Sequence, residues 1–231
     1  MDDTLRLKEF ALSEGADAVG VADLGPLSLG LPTVPEGLLG PYTRGVSLAV
    51  RLKDEVVEGI EDGPTVEYAD HYREANGRLD ALAASVARWI AQRGFAAQAV
   101  PASRILDEEG LMGTVSHKAV ARMAGLGWQG KSLLIVSPEF GPRMRLATVL
   151  TDMPLAPDEP MEVRCGDCLE CARACPASAI RGVLASGGRY RDRQEALHLE
   201  RCARKTLEFA ARPGIGARVC GVCVRVCPFG A

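Results

Sequence analysis

The first two thirds of the chain alternate amphipathic segments with short apolar runs. Between residues 79 and 90, apolar side chains recur at offsets of 0, 3, 4, 7, 10 and 11, which is one face of a helix, and Gly94 follows as a stop. Shorter helices are predicted over residues 4–13 and 117–124, the second with Ser116 as its N-cap. The pattern therefore predicts one long helix and two shorter ones.

The apolar runs predict the strands. They are short, and most are rich in Val, Leu and Ala, which favours a buried strand. The predicted strands cover residues 18–22, 46–52, 95–100, 133–136 and 146–150. Because helices and strands mix without a regular β-α-β repeat, the pattern predicts an α+β fold.

Composition suggests two domains of unequal size. A chain of 231 residues that is 47% hydrophobic can bury one substantial core and keep a small second domain. All eight cysteines lie beyond residue 164, after the acidic, proline-rich stretch APDEP at residues 156–160. We therefore expect a larger domain over residues 1–155 and a smaller one over residues 156–231.

The N-terminal sequence MDDTLRLKEF bears on the redox state of the cysteines. It is acidic and has neither the basic nor the apolar region of a signal peptide, and no apolar run reaches the roughly 18 residues of a membrane span. These features predict a cytoplasmic protein. Since thiols stay reduced in the cytoplasm, the cysteines are expected to bind metal rather than form disulfides.

The cysteines fall into two runs with the spacing of iron–sulfur ligands. The first run has the spacing C-x2-C-x2-C-x3-C-P of bacterial ferredoxins: Cys165, Cys168, Cys171 and Cys175, followed by Pro176. The second run lacks one member: Cys220, Cys223 and Cys227, followed by Pro228. Cys202 completes the count of eight. The spacing predicts two 4Fe-4S clusters, because each cluster takes four thiolates.

In ferredoxins the fourth cysteine of a run binds the other cluster, so crossed ligation is expected. The first cluster is assigned to Cys165, Cys168, Cys171 and Cys227, and the second to Cys175, Cys202, Cys220 and Cys223. A helix is expected to start at the fourth cysteine of the first run, Cys175, which is followed by Pro176. Zinc sites and disulfides are the alternatives, but four-cysteine zinc sites usually pair separated C-x2-C units.

Charge is distributed unevenly. The whole chain has a net charge of -3 and therefore no overall attraction to nucleic acid, but residues 156–231 hold 12 Lys and Arg against 9 Asp and Glu. A cubane with four thiolates carries about -2, so counter-charge for the clusters is the favoured explanation. A surface for RNA or for an acidic partner is the alternative.

The segment GLGWQGKS at residues 125–132 satisfies the phosphate-loop pattern G-x4-G-K-[ST]. A phosphate loop follows a strand and opens a helix, whereas this segment follows a predicted helix and precedes a predicted strand. Nucleotide binding is therefore not expected. Trp128, within this glycine-rich stretch, is a candidate for lining a ligand pocket.

The chain resembles the epoxyqueuosine reductase family. The resemblance is carried by SHKAVARMAGLGWQGKS at residues 116–132, by Gly141, by Thr151 and Asp152, and by the double cysteine run. It covers roughly residues 68–229. Reductive dehalogenases share the architecture that the resemblance implies.

The resemblance implies a nitroreductase-like sheet domain that binds cobalamin, followed by a ferredoxin-like domain. In that scheme the clusters pass electrons from a donor such as ferredoxin or flavodoxin to the cobalt, which makes the protein an oxidoreductase. The residues expected near the corrin are Gly127, Trp128, Gly130, Lys131 and Ser132. A flavin in the same hollow is the less favoured cofactor.

Two departures from the family concern its chemistry. Family members carry an aspartate that protonates the substrate, and counting back along the helix aligns it with Leu111 or Met112. The nearest acids are Asp107, Glu108 and Glu109, of which Asp107 is the candidate. Family members also typically continue into a tRNA-contacting repeat region, whereas this sequence ends at Ala231, which makes tRNA a weaker expectation as a partner.

The sequence therefore supports two alternative functions. The first is a cobalamin-dependent reductase of a substrate that the sequence does not name. The second is a non-catalytic electron carrier, or a reductive activator of a separate corrinoid or other redox protein.

Overall fold

The computed structural model describes residues 2–28, 32–107 and 111–230, and its mixture of helices and strands confirms the α+β class. The elements are, in chain order, α1 (Asp3–Ser13), β1 (Ala18–Asp23), α2 (Gly25–Ser28), β2 (Arg44–Arg51), α3 (Asp54–Glu58), α4 (Val66–Ala91), β3 (Ala97–Val100), α5 (His117–Met123), β4 (Trp128–Gln129), β5 (Ile135–Val136), β6 (Met144–Thr151), α6 (Glu170–Arg173), a 3-10 helix (Ser186–Gly188), α7 (Arg193–Ala196), α8 (Leu199–Ala210) and α9 (Val222–Arg225). Of the helices in the described ranges, none combines the length and apolar character needed to cross a membrane.

The chain forms two compact units, each assembled from separate stretches of sequence. The first comprises Met1–Val50, Ala75–Leu126 and Arg145–Met161. The second comprises Arg51–Glu74, Gly127–Met144 and Glu162–Ala231. Residues 51–74 and 127–144 therefore pack with the cysteine-rich segment, whereas the sequence suggested a single division after residue 155.

The first unit is built on a four-stranded sheet of order β1-β2-β6-β3. β1 runs antiparallel to β2, with Ala18 opposite Ala49, and β3 runs antiparallel to β6, with Ala97 opposite Thr151. Every residue of β2 from 45 to 50 is buried. The four strands lie within two residues of the predicted bounds at each end, and the nearly continuous burial of β2 and β6 explains their uninterrupted apolar runs.

The predicted helices also form. Ser116 caps α5, since its hydroxyl oxygen accepts a hydrogen bond from the amide of Ala119 at 3.3 Å. α4 carries the predicted apolar face, but it begins at Val66, well before the first residue of that face. In β1, Gly20 allows close packing on α5, because a Cβ there would lie 2.0 Å from the carbonyl oxygen of Ala124.

The predicted strand at residues 133–136 is only partly formed. Ile135 and Val136 pair with β4, but Leu133 adopts a left-handed backbone with φ of 63°. The amide of Leu133 donates to the carbonyl of Gly130, and the amide of Gly130 donates to the carbonyl of Leu134. The apolar run is therefore divided between a tight turn and a very short strand.

Glycine also fixes the backbone of the second unit beside the cysteines. Gly221 separates Cys220 from α9 and has a φ of 84°. A Cβ at this position would lie 2.4 Å from Ile60 Cδ1 and 2.8 Å from Tyr68 Cε1. Both the backbone conformation and the close packing therefore require glycine between Cys220 and Cys223.

Candidate metal centre

The first cysteine run forms a tight loop with a single helical turn. The amide of Cys168 donates to the carbonyl of Cys165 at 3.1 Å, and Cys171 lies within α6. α6 ends before Cys175, and the amide of Ser178 donates to the Cys175 carbonyl at 2.9 Å. The expectation that a helix begins after the fourth cysteine is therefore wrong: the helical turn precedes Cys175, and a turn follows it.

One group of four thiols interacts closely across the two runs. Burial, together with the like charges of the neighbouring Cys165, Cys227 and Cys168, raises the pKa of Cys171 to about 11. Burial likewise raises the pKa of Cys227, to which Cys165 and Cys168 add. The structure thus brings Cys227, from the second run, to three cysteines of the first run.

The remaining four cysteines form a second group. Burial raises the pKa of Cys220 to about 11, with Cys202 and Cys175 adding to the effect. Burial raises the pKa of Cys223 strongly, and Cys220, Cys202, Cys171 and Cys175 raise it as like charges. These four residues are the second predicted ligand set.

The donor chemistry of both groups fits an iron–sulfur cluster. All eight cysteines are half-buried and reduced. Crowded thiols resist ionisation because their negative charges repel one another, and bound iron offsets that repulsion as the protons leave. In residues 2–28, 32–107 and 111–230, no group of three or more His, Cys, Asp or Glu side chains is arranged to hold one metal ion.

The hairpin formed by β4 and β5 lies against the first cysteine group. A Cβ at Gly127 would lie 2.3 Å from the carbonyl oxygen of Val136, so the hairpin itself requires this glycine. A Cβ at Gly130 would lie 2.8 Å from Val136 Cγ2 and 3.6 Å from Cys165 Sγ. Close packing of the hairpin and the cysteine loop therefore accounts for both glycines.

Trp128 is fully buried between the hairpin and the cysteines. Its indole Nε1 donates a hydrogen bond to Cys165 Sγ at 3.4 Å. Its ring meets Phe229 edge to face, with 4.8 Å between ring centroids. Trp128 thus contacts a cysteine directly, and because it is fully buried it lines no open pocket.

Lys131 places a cation at the cysteine loop. The residue is only 5% exposed, and its Nζ donates to the carbonyl oxygens of Gly166 at 2.8 Å and Cys168 at 2.9 Å. A small cavity in the second unit is lined by Gly130, Lys131 and Ser132 together with Cys165, Cys168, Cys171, Cys223 and Cys227. Three of the five residues expected near a corrin therefore line a cavity beside the thiols.

The candidate proton donor Asp107 lies in the first unit. It forms an isolated antiparallel bridge with Met112, in which the amide of each residue donates to the carbonyl of the other at 3.0 Å. Leu111, between them, has a left-handed φ of 49°. Glu108 and Glu109 lie outside the described residues.

Arg143 was not recognised in the sequence. It is 1% exposed, its guanidinium contacts the carboxylates of Asp54 and Glu58, and its positive charge acts to lower the pKa of Cys227. No local pattern separates such an arginine from a surface one. The first cysteine group therefore has two buried cations near it, Lys131 and Arg143.

The comparisons with known proteins agree with this site. The family profile described as a 4Fe-4S double cluster binding domain matches residues 164–230. The chain is 36% identical over 118 residues to an epoxyqueuosine reductase of Bacillus anthracis, covering 50% of this chain and 30% of that protein. It is 40% identical over 117 residues to the tetrachloroethene reductive dehalogenase of Sulfurospirillum multivorans, covering 48% of this chain and 23% of that protein. The matched region thus spans less than a third of these curated relatives.

Solved structures show the same fold along nearly the whole chain. A catabolic reductive dehalogenase in complex with 3-bromo-4-hydroxybenzoic acid superposes with a TM-score of 0.77 at 21% identity, covering 97% of this chain and 31% of that one. The epoxyqueuosine reductase of Streptococcus thermophilus superposes with a TM-score of 0.64 at 19% identity, covering 100% of this chain and 66% of that one. Residues 164–230 therefore form an iron–sulfur domain within a fold that both classes of reductase share.

Proposed function

Since this chain is epoxyqueuosine reductase-like and related to the reductive dehalogenases, we propose that it is an oxidoreductase that passes electrons through two 4Fe-4S clusters to a cobalamin. The observation that carries the proposal is the pair of four-thiol groups within the double-cluster domain. A bound cobalamin would supply a strongly nucleophilic reduced cobalt centre. The protein would supply electrons, orientation and a proton.

The proposed ligand sets are crossed between the two runs. The first cluster takes Cys165, Cys168, Cys171 and Cys227, and the second takes Cys175, Cys202, Cys220 and Cys223. The mutual effects of the thiols on the pKa values of Cys171, Cys227 and Cys220 support this division, whereas the pKa of Cys223 is also raised by Cys171 of the other set. The ferredoxin spacing, in which the cysteine before proline serves the neighbouring cluster, also supports the division.

The hairpin residues would hold and tune the first cluster. Trp128 donates to a proposed ligand sulfur, and Lys131 fixes the backbone between two proposed ligands. Gly130 and Ser132 line the cavity beside the same thiols and are the proposed edge toward the cobalamin. Gly127 would act by letting the hairpin pack closely.

Asp107 is the proposed proton donor because, among the described residues, it is the carboxylate nearest in sequence to the position of the family aspartate. The proposed substrate class, an epoxyqueuosine-modified tRNA, is taken from the relatives. The structure of one epoxyqueuosine reductase was solved with such a tRNA stem loop. Asp107→Asn should lower the turnover of such a stem loop without changing the iron content of the protein. Unchanged turnover would remove Asp107 from the mechanism.

The alternative function is that of an electron carrier or reductive activator. It is favoured by the apolar side chains of Leu111 and Met112 where relatives carry an acid. A carrier would reduce its partner protein but would convert no substrate by itself. Turnover by the purified protein with a chemical reductant alone would therefore rule it out.

The deciding experiment is anaerobic reconstitution with ferrous iron and sulfide, followed by addition of cobalamin. About eight iron and eight sulfide per chain are expected for two cubanes. Cobalamin should then bind at about one per chain and show the spectrum of its base-off form. Full cluster assembly without corrin uptake at micromolar concentration would exclude the reductase and leave the carrier. The spectrum of the cofactor released by denaturation distinguishes a corrin from a flavin.

A further inference from the structure

α8 carries a proposed cluster ligand on one side and an exposed basic surface on another. Cys202 is half-buried and Phe209 is fully buried, whereas Arg201, Arg204 and Leu207 are exposed. The exposed residues recur at intervals of three, as expected for one face of a helix. A helix is about 10 Å across, so a molecule resting on this face would lie roughly that far from the Cys202 side.

The basic surface continues on the backbone that follows Cys175. Arg201 Nη1 donates to the Ser178 carbonyl at 3.3 Å, and Arg181 Nη2 lies 3.2 Å from His198 Nδ1. Ala179, which follows Ser178 in the chain, donates its amide hydrogen to Cys175 Sγ at 3.3 Å. The guanidinium of Arg201 is therefore bonded to the segment that contacts a proposed ligand of the second cluster, while the guanidinium of Arg181 lies against His198.

The stretch of sequence that carries this surface is basic and exposes apolar side chains. Residues 181–218 hold nine Lys and Arg against four Asp and Glu, although the whole chain has a net charge of -3. Three large apolar side chains in the same stretch are exposed: Val183 by 46%, Leu184 by 49% and Leu207 by 51%. Apolar contacts with a charged surround are typical of transient protein–protein interfaces.

Neutralising the charge of the clusters does not explain why the arginines of this basic surface are exposed. Lys205 is half-buried and acts to lower the pKa of Cys220, as a counter-charge should. Arg204, one position earlier, is exposed. Arg201 is also exposed and bonds a backbone carbonyl. Arg181, Arg201 and Arg204 outnumber the exposed acids Glu200 and Glu208 of the same region, so a net positive charge is left to attract a partner.

We propose that the basic face formed by Arg181, Arg201 and Arg204 is the docking site of an acidic electron-donor protein, and that electrons enter through the second cluster. This inference rests on the proposed clusters but not on the proposed cobalamin. The donor loses one electron and the second cluster gains it, and no bond is made or broken. Opposite charges would steer the encounter and orient the donor cofactor toward Cys202 and Cys175.

The position of this face favours a protein donor over RNA. An electron donor must approach a cluster, and the basic side chains lie on the elements that carry Cys175 and Cys202. Binding of RNA through its phosphates would need the charge but would not need the cluster beside it. RNA binding is therefore the alternative that the experiment has to separate.

The test is the rate at which reduced flavodoxin, an acidic one-electron donor, reduces the clusters of the reconstituted protein. R201E/R204E should lower the second-order rate constant at least tenfold at low ionic strength, and the difference should shrink as salt screens the charges. R78E/R88E on α4 reverses two exposed arginines with the same change in net charge, and should leave the rate within twofold. R204E alone should show an intermediate loss.

Three controls make the result decisive. Dithionite should reduce all variants to the same end point, which shows that the clusters are intact. An unchanged rate in R201E/R204E, or an equal loss in R78E/R88E, would overturn the docking site. Loss of tRNA affinity with an unchanged flavodoxin rate would assign the face to RNA instead. Failure to bind cobalamin would contradict the proposed reductase and leave this result standing.

Discussion

The indole of Trp128 donates a hydrogen bond to the sulfur of Cys165 across 3.4 Å. A donor aimed at a ligand sulfur stabilises the more negative, reduced form of a cluster and so raises its potential. Because Trp128 is fully buried, water cannot replace this donor. The contact links the glycine-rich segment of the sequence to the redox property on which the proposed function depends.

Trp128→Phe keeps a ring against Phe229 but removes the donor. We expect the ratio of reduced to oxidised first cluster at a fixed potential to fall about tenfold, which corresponds to about 59 mV for one electron. A potentiometric titration followed by electron paramagnetic resonance measures this. The matched control is Trp89→Phe. Trp89 stacks on Phe10 in the first unit, so this substitution should leave the potential of the first cluster unchanged. Equal potentials in wild type and Trp128→Phe would show that the hydrogen bond has no redox role.

Lys131→Met should loosen the loop of the first cluster. The two carbonyls that Lys131 satisfies would lose a charged donor, at a cost of about 1–3 kcal/mol. We expect a chelator to remove iron from the variant several-fold faster than from the wild type. Lys53→Met, at an exposed lysine, is the matched control. If both variants release iron at the wild-type rate, Lys131 does not hold the loop.

His117 should make the first unit sensitive to acid. Its Nε2 donates to the Pro101 carbonyl at 3.0 Å, which leaves Nδ1 to accept from the Thr148 hydroxyl at 2.8 Å. Burial lowers the pKa of His117 below its usual 6.5, and the positive charge of Arg145 adds to this. The folded state therefore favours the neutral ring, so its contribution to stability is present above pH 6.5 and is lost as the pH falls below it.

The measurement for His117 is the thermal unfolding midpoint at about pH 7.5 and about pH 5.5. The drop between the two should be larger for the wild type than for His117→Gln, whose amide cannot titrate. Comparing the two proteins separates His117 from any acid lability of the clusters. An identical drop in both would show that His117 titrates alike in the folded and unfolded chain.

Local patterns in the sequence were enough to predict much of the fold. β2 and β6 are buried almost throughout, so their apolar runs identified them, and the Ser116 cap follows from one residue and its neighbours. The cysteine spacing is similarly local. It predicted the double-cluster domain because ligand spacing is set by the geometry of the cluster rather than by distant packing.

The surroundings of the first cysteine group depend on contacts between distant residues, which the sequence pattern does not encode. Lys131 bonds to carbonyls 35 and 37 residues away, and Arg143 pairs with Asp54, 89 residues earlier. The backbone at Leu133 turns left-handed although the residue sits in an apolar run. These features explain why the contacts of residues 127–132 with the cysteine loop were not predicted from the sequence.

The most direct test of the account is a comparison of four serine variants by iron content and electron paramagnetic resonance. If ligation is crossed, Cys227→Ser and Cys171→Ser should lose the same cluster, while Cys175→Ser and Cys220→Ser should lose the other. Each variant should keep about four of about eight iron atoms. Loss of the same cluster from Cys227→Ser and Cys220→Ser, or from Cys175→Ser and Cys171→Ser, would contradict the crossed ligand sets and with them the proposed path of electrons.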